Sequence, residues 1–304
     1  MTMRITEGMT RRTVLRDLGS SKARLSDLRR EISSAKRINR PSDDPFGAGR
    51  TLRLSGELEG FRQYKANVDD GTGWVTATET ALSRISEAVQ RVRELLVQGG
   101  NDSNGQVARD GIAAEIEALT EAVKQEANVT YDDRFIFSGT ATETRPYELG
   151  AADGYAGDEG QIARVIGQGV SLPVNIDIQT LLGNGAAVED DKLLDVMRDI
   201  ATDLRGGTTA SAEALRGTDL ERLDDNMDEL TRVRAVVGAT TNRLETAGTR
   251  LEELQESSLN QLSHVWDTDM AEALVNFATE QTAYETALRA GATLVQPSLM
   301  DFLR

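Results

Sequence analysis

Cysteine is absent from this sequence, which removes disulfide staples, thiolate metal sites and thiol nucleophiles together. Histidine occurs once, at position 264, so a His-based general acid or base has one place to act; a packed or solvent-facing side chain is the simpler role. Aromatic residues make up 4% of the 304 positions and charged residues 28%, a balance that suits long helices burying narrow aliphatic seams rather than one thick core. No segment approaches the ~20 consecutive apolar residues that span a bilayer. The stretch Met1 to Met9 lacks an apolar run followed by a small-residue cleavage site, so export by the general secretory route is not expected. The net charge of -16 repels phosphate backbones and anionic lipid surfaces over a Debye length of ~8 Å, and neither nucleic acid nor a membrane is an expected partner.

The chain is instead rich in heptad spacing. Over 11–38, Val14, Leu18, Leu25, Leu28, Ile32 and Ala35 recur at intervals of three and four, the pattern of a coiled-coil seam. Pro41 ends this helix, because its ring disfavours helical geometry at the preceding residue. In Pro41-Ser42-Asp43-Asp44-Pro45, an Asp or Ser can accept free backbone N–H groups and Pro45 suits a first helical position, so this loop reads as hinge and helix cap. Leu54, Phe61, Val68, Val75, Leu82, Val89 and Leu96 then mark a second rod, on the order of 60 Å long. Gly71 and Gly73 lie within it and predict at most a local distortion.

After the polar turn at 99–105, a shorter helix carries Ile112, Ile116, Leu119 and Val123 and folds back on the second rod. Arg134–Gly139 reads as a strand. From 147 to 183, glycine-punctuated alternation at Gln161–Ile166 and Val170–Ile176 reads as short strands, followed by a connecting helix over 188–205. A third rod repeats Leu223, Leu230, Val237, Leu244 and Leu251 before Ser258 and Val265. A last amphipathic helix presents Leu274, Phe277, Tyr284, Leu288 and Val295.

The fold class is therefore mainly α: long antiparallel coiled-coil rods with a small inserted β-rich domain. The expected division is 1–40 and 267–304 as terminal helices, 41–146 and 207–266 as a rod domain, and 147–206 as the insert. Residues 1–40 hold eleven basic and four acidic side chains, whereas 267–304 hold two and six, so the two ends attract and pair antiparallel. Val14, Leu18, Leu25, Leu28 and Ile32 at one end, with Leu274, Phe277, Tyr284, Leu288 and Val295 at the other, are the expected assembly interface, which neighbouring subunits complete.

No catalytic, cofactor or metal site emerges. Asp43 and Asp44 are explained as caps favoured by the helix dipole, the EF-hand spacing is absent around Asp69–Gly73, and Gly167-Gln168-Gly169 lacks the third glycine and following helix of a dinucleotide fingerprint. Trp266 reads as an interface anchor or as core packing. The basic first helix lacks the aromatic anchors of a membrane-surface helix, which favours a protein partner.

The run Ile32-Ser33-Ser34-Ala35-Lys36-Arg37-Ile38-Asn39-Arg40-Pro41-Ser42-Asp43-Asp44-Pro45 resembles the N-terminal block of the bacterial flagellin superfamily. Ala35 stands where that family usually has glycine and is read here as a small apolar helix position. Within the superfamily the Pro41–Pro45 loop, Gln63-Tyr64-Lys65-Ala66-Asn67 and the ending Ser298–Arg304 resemble the members that join hook to filament more than the filament subunit. The resemblance covers 1–140 and 210–304. It implies a secreted, non-enzymatic structural protein of the extracellular flagellum, exported by the flagellar type III apparatus. The implied partners are further copies in a ring, the first hook-associated protein, flagellin and an export chaperone on the C-terminal helix. Filament flagellin is the alternative; an envelope coiled-coil adaptor is a more distant one that would need an export signal or a lipid anchor.

Overall fold

The computed structural model describes residues 7–101, 105–150, 154–186 and 188–295. Eight helices and two small antiparallel sheets are assigned among them: α1 (Glu7–Ser34), α2 (Pro45–Gly99), α3 (Gln106–Ala127), β1 (Thr130–Tyr131), β2 (Arg134–Phe135), β3 (Ala163–Gly167), β4 (Val170–Pro173), α4 (Gln179–Leu182), α5 (Leu193–Gly206), α6 (Thr209–Arg216), α7 (Thr218–Trp266) and α8 (Met270–Val295). The fold is mainly α, as the heptads predict. Two compact units form, one from the ends of the chain up to Gly60 and from Leu254, the other from Phe61–Glu253. Helices α2 and α7 belong to both.

The second unit holds the hydrophobic core. Its α2 and α7 segments run antiparallel, joined by ion pairs Lys65–Glu252, Glu79–Arg234 and Arg93–Asp224 at 2.9, 2.6 and 2.7 Å. Between these pairs the repeats meet: Val68, Val75, Leu82, Val89 and Leu96 on α2 and Leu223, Leu230, Val237, Leu244 and Leu251 on α7 are all buried. One seven-residue period thus buries one stripe on each rod, which is what coiled-coil geometry requires. α3 returns along α2 through Arg84–Glu126 and Arg91–Glu115. α5 lies on α3 through Arg205–Glu117, and Leu193, Val196, Met197, Ile200 and Leu204 fill the space beneath it.

Residues of the 147–206 stretch enter the same core: Tyr147, Ile166, Leu172, Val174 and Ile178 cluster with the helical seams. β3 and β4 form a hairpin with a register shift between Val165 and Gly167. The expected strand Arg134–Gly139 pairs only at Arg134 and Phe135, across the two-residue turn Asp132-Asp133, whose φ values are 50° and 59°. Beyond Phe135, Ile136 N–H still donates to the Val129 carbonyl at 3.2 Å, and Ile136 and Phe137 are both buried. Aspartate tolerates such left-handed turns better than most residues. α2 runs unbroken past Gly71 and Gly73. Those glycines supply room rather than flexibility: a Cβ on Gly73 would collide with the Tyr131 ring, and one on Gly71 would press on Leu244 and Val174 at 3.3 Å.

Five aspartates and two arginines meet where α5 faces the start of α7. Arg222 reaches Asp191, Asp199 and Asp195 at 2.8, 2.9 and 3.0 Å, and Arg198 reaches Asp195 and Asp199 at 2.6 and 2.7 Å. Asp219 is 3% exposed, and its Oδ2 has no hydrogen-bond partner. Burial, together with the negative charge of Asp203, pushes the Asp219 carboxyl up to about 6. The folded pKa lies above the ordinary value of 3.8, so folding retains a proton that the unfolded chain releases. Stability from this group is fully present below pH ~4, falls as pH rises through 6, and stays reduced above it. Asp219→Asn is expected to stabilise the chain by up to about 3 kcal/mol at pH 7.5 and by almost nothing near pH 4. Urea unfolding at the two pH values checks this, and an equal effect at both pH values would remove the titration as its cause.

Candidate assembly interface

α1 and α8 pair antiparallel in the first unit. On α1 the positions turned inward are Val14, Leu18, Ser21, Leu25, Leu28 and Ile32, at intervals of four and three. On α8 the matching set is Ala273, Phe277, Glu280, Tyr284 and Gly291. Near the open end, a Cβ on Gly291 would lie 3.1 Å from Val14 and 3.7 Å from Leu18, so glycine allows close approach there. Midway, Ser21 Oγ donates to Glu280 Oε1 at 2.6 Å, and Arg24 donates to the same oxygen from Nη2 at 2.8 Å and from Nε at 3.2 Å. These donors hold the Glu280 carboxyl below its usual range, Ser21 first and Arg24 next.

The expected α1 residues Val14, Leu18, Leu25, Leu28 and Ile32 are all half-buried along this seam. On α8 the set divides. Phe277 and Tyr284 are half-buried, whereas Leu274 and Leu288 remain 52% and 45% exposed. The Val295 side chain lies outside the described residues. Sequence reasoning selected the large apolar residues of α8 and passed over Ala273, Glu280 and Gly291. Stepping by three and four from Phe277 and Tyr284 would have found all three.

At the base of the pair, the segments 34–38 and 265–268 form a clasp. Arg37 N–H donates to the Trp266 carbonyl at 2.8 Å, Thr268 N–H to the Ala35 carbonyl at 3.2 Å, and the Trp266 indole N–H to the Ile38 carbonyl at 2.9 Å. Lys36 lies 3.5 Å above the Trp266 ring, a cation–π contact. α1 ends at Ser34 rather than at 38, and Ala35 takes φ 54°. Ala35 is therefore no seam residue, correcting the helical reading: it is the left-handed residue that stops the helix, a role that favours glycine because a Cβ clashes there. Ala35→Gly is expected to stabilise the first unit by ~1 kcal/mol, seen as slower amide exchange in α1 with α3 unchanged.

In the loop that follows, Asp43 Oδ2 accepts from the backbone N–H groups of Asn39 and Arg40 at 3.1 and 2.8 Å. Asp44 Oδ1 accepts from Gly47 N–H at 2.9 Å, capping α2. Pro41, Ser42 and Pro45 are exposed. A Cβ on Gly47 would strike both Asp44 and Ile38, so glycine keeps the cap and the loop closed. His264 is exposed on the last turn of α7. Among the described residues no cluster of acidic or histidine side chains could hold a metal ion, and no helix is long and apolar enough to cross a membrane.

The distribution of apolar surface distinguishes the two units. Among the described residues of the first, only Ile38, Leu54, Leu58 and Ala273 are buried hydrophobics, and the continuous core lies entirely in the second. The same first unit exposes Met9, Leu15, Phe46, Leu52, Leu259, Leu274, Val275 and Leu288, with Phe46 85% exposed. Helix α8 carries only Glu272, Glu280, Glu285 and Arg289 as charged residues. A helix so uncharged around its circumference is one that other elements surround.

Comparison with known proteins converges with this geometry. Residues 5–142 match the bacterial flagellin N-terminal helical region and residues 220–303 the bacterial flagellin C-terminal helical region. The chain is 24% identical to flagellar hook-associated protein 3 of Salmonella typhimurium over 318 aligned residues, covering 99% of this chain and all of that protein. It is also 24% identical to the flagellin of Bacillus subtilis, with 99% and 100% covered. Among solved structures, a flagellar hook-associated protein from Vibrio parahaemolyticus superposes with a TM-score of 0.66 at 21% identity, covering 74% of this chain and 100% of that one. Hook-associated protein 3 from Legionella pneumophila gives 0.63 at 14% identity, with 70% and 98% covered. With both terminal helical regions matched and the two rods lying almost wholly within them, the chain belongs to the bacterial flagellin family and is a structural component of the flagellum.

Proposed function

We propose that this protein forms the junction between hook and filament, as a ring of identical copies seated between the first hook-associated protein and flagellin. The observation that carries assembly is the uneven burial. A first unit whose described residues include four buried hydrophobics and a row of exposed ones is incomplete alone, and copies packed side by side would cover what it exposes. Support for the junction over the filament comes from the Pro41–Pro45 loop, Gln63–Asn67 and the ending Ser298–Arg304, which resemble the members that join hook to filament. The residues assigned to contacts between copies are those that the α1/α8 pair leaves exposed, Leu274 and Leu288 foremost, flanking a shared seam of Val14, Leu18, Leu25, Leu28, Ile32, Phe277 and Tyr284. Residues 1–40 and 267–304 serve as assembly helices, and the Pro41–Pro45 loop as the hinge at their base.

Export follows the flagellar type III route, with a chaperone holding the apolar C-terminal helix in the cytoplasm until the subunit is delivered. Folding of that helix is then coupled to addition at the tip. Electron microscopy of cells lacking the protein is expected to show hooks without filaments, with flagellin shed into the medium. The filament reading is favoured by the equal identity to Bacillus subtilis flagellin. It predicts thousands of copies per flagellum rather than one ring, and quantitative labelling of isolated flagella separates the two.

A further inference from the structure

The seams of α1 and α8 are nearly interchangeable along their length. Val14, Leu18, Leu25, Leu28 and Ile32 on one side, and Ala273, Phe277, Tyr284 and Gly291 on the other, repeat at four and three. Sliding one helix by seven residues therefore sets apolar side chains against apolar side chains again. Two inward positions break the pattern, and they meet each other: Ser21, buried, and Glu280, whose side chain is only 19% exposed.

We infer that the Ser21–Arg24–Glu280 cluster sets the register in which α1 and α8 pair. In the aligned register one carboxylate oxygen receives three donors, from Ser21 Oγ and from Arg24 Nη2 and Nε. Displaced by one heptad, Glu280 faces the level of Val14 or Leu28, where an aliphatic side chain replaces the Ser21 hydroxyl and Asp17 or Glu31 takes the place of Arg24, and Ser21 faces Ala273 or Ala287, whose side chains offer no acceptor. A single polar position in an apolar seam acts in this way in coiled coils: it lowers stability and excludes the wrong alignment. The clasp at 35–38 and 265–268 ties the base of the pair within one chain, but it cannot act on a helix offered by a second copy. In a crowd of identical terminal helices, the cluster is what marks the correct level.

The absence of native cysteine makes engineered pairs unambiguous reporters in the full-length chain. Val14→Cys with Gly291→Cys reports the aligned register; the Val14 truncation also relieves the contact that a Cβ on Gly291 would make. Val14→Cys with Tyr284→Cys reports a displacement of seven residues. In the otherwise native chain only the first pair should oxidise to a disulfide, within or between copies. Adding Ser21→Ala and Glu280→Leu should raise the displaced disulfide at least tenfold while α8 amides stay as protected as before. Glu280→Gln, which keeps an acceptor oxygen, should restore exclusivity.

The inference is overturned if the displaced pair forms equally in the native background, if it stays unreactive in the apolar one, or if the apolar variant loses α8 protection, since the cluster would then only stabilise. None of these outcomes depends on the place of the protein in the flagellum.

Discussion

Deleting residues 1–38 or 269–304 is expected to abolish hook–filament joining while leaving the thermal unfolding of the remaining chain unchanged within a few degrees. The reason is the location of the core. Val68 through Leu96 on α2, Leu223 through Leu251 on α7, and the seams of α3 and α5 are buried among themselves, and no buried hydrophobic of that set lies in the deleted segments. Burying a leucine contributes roughly 1.5 to 3 kcal/mol, and the terminal seam positions are mostly half-buried, so α1 and α8 add little to a lone molecule. Their contribution comes when neighbours cover Leu274, Val275, Leu288 and the rest of the exposed row. Calorimetry on the truncated chains and electron microscopy of complemented cells test the two halves separately. Normal joining by either truncation would sink the assembly role; a collapse of the central transition would show that the two units are not energetically independent.

Arg222→Met should destabilise the second unit by roughly 3–5 kcal/mol, the loss found when one partner of a buried charge pair is removed. Arg222 is the shared counter-charge of Asp191, Asp195 and Asp199 at 2.8–3.0 Å, with Asp219 at 3.9 Å. Asp195 is almost completely buried, and that desolvation, ahead of its other interactions, already raises its pKa. Without this guanidinium only Arg198 remains to offset Asp195 and Asp199, and Asp195, 1% exposed, loses one of its two cationic partners. For a unit of this size the loss corresponds to a fall in melting temperature on the order of 10 °C. Arg222→Lys should recover only part of it, since one compact ammonium cannot serve oxygens on opposite sides of a planar fork. A methionine variant as stable as the native chain would show the cluster to be indifferent to its central cation.

These two outcomes differ in how far the sequence foretold them. The terminal seam on α1 was legible because Val14, Leu18, Leu25, Leu28 and Ile32 stand out among charged neighbours. On α8 the same logic misjudged Leu274 and Leu288: a helix that is apolar on most sides does not announce which side meets α1. The aspartate cluster was passed over: Asp191, Asp195, Asp199 and Asp203 follow at four-residue spacing into and along α5, the mark of one helix face, but that Asp219 and Arg222 of α7 meet that face is decided only by packing. Ala35 illustrates the same limit in a single residue. As a small apolar residue in phase with the seam it read as helix, whereas its φ of 54° depends on the clasp with 265–268, more than two hundred residues away.

The rods, their length, their heptad stripes and the family to which they belong can be read from residue spacing alone, because helical periodicity is set by residues three and four apart and needs no knowledge of the partner. Which face of α8 is shared with α1, where Glu280 finds its donors and how Arg222 gathers its carboxylates emerge only when distant segments pack. Those are choices among faces and distant segments, and the free energy that makes them comes from close packing and desolvation, which exist only once the elements have met.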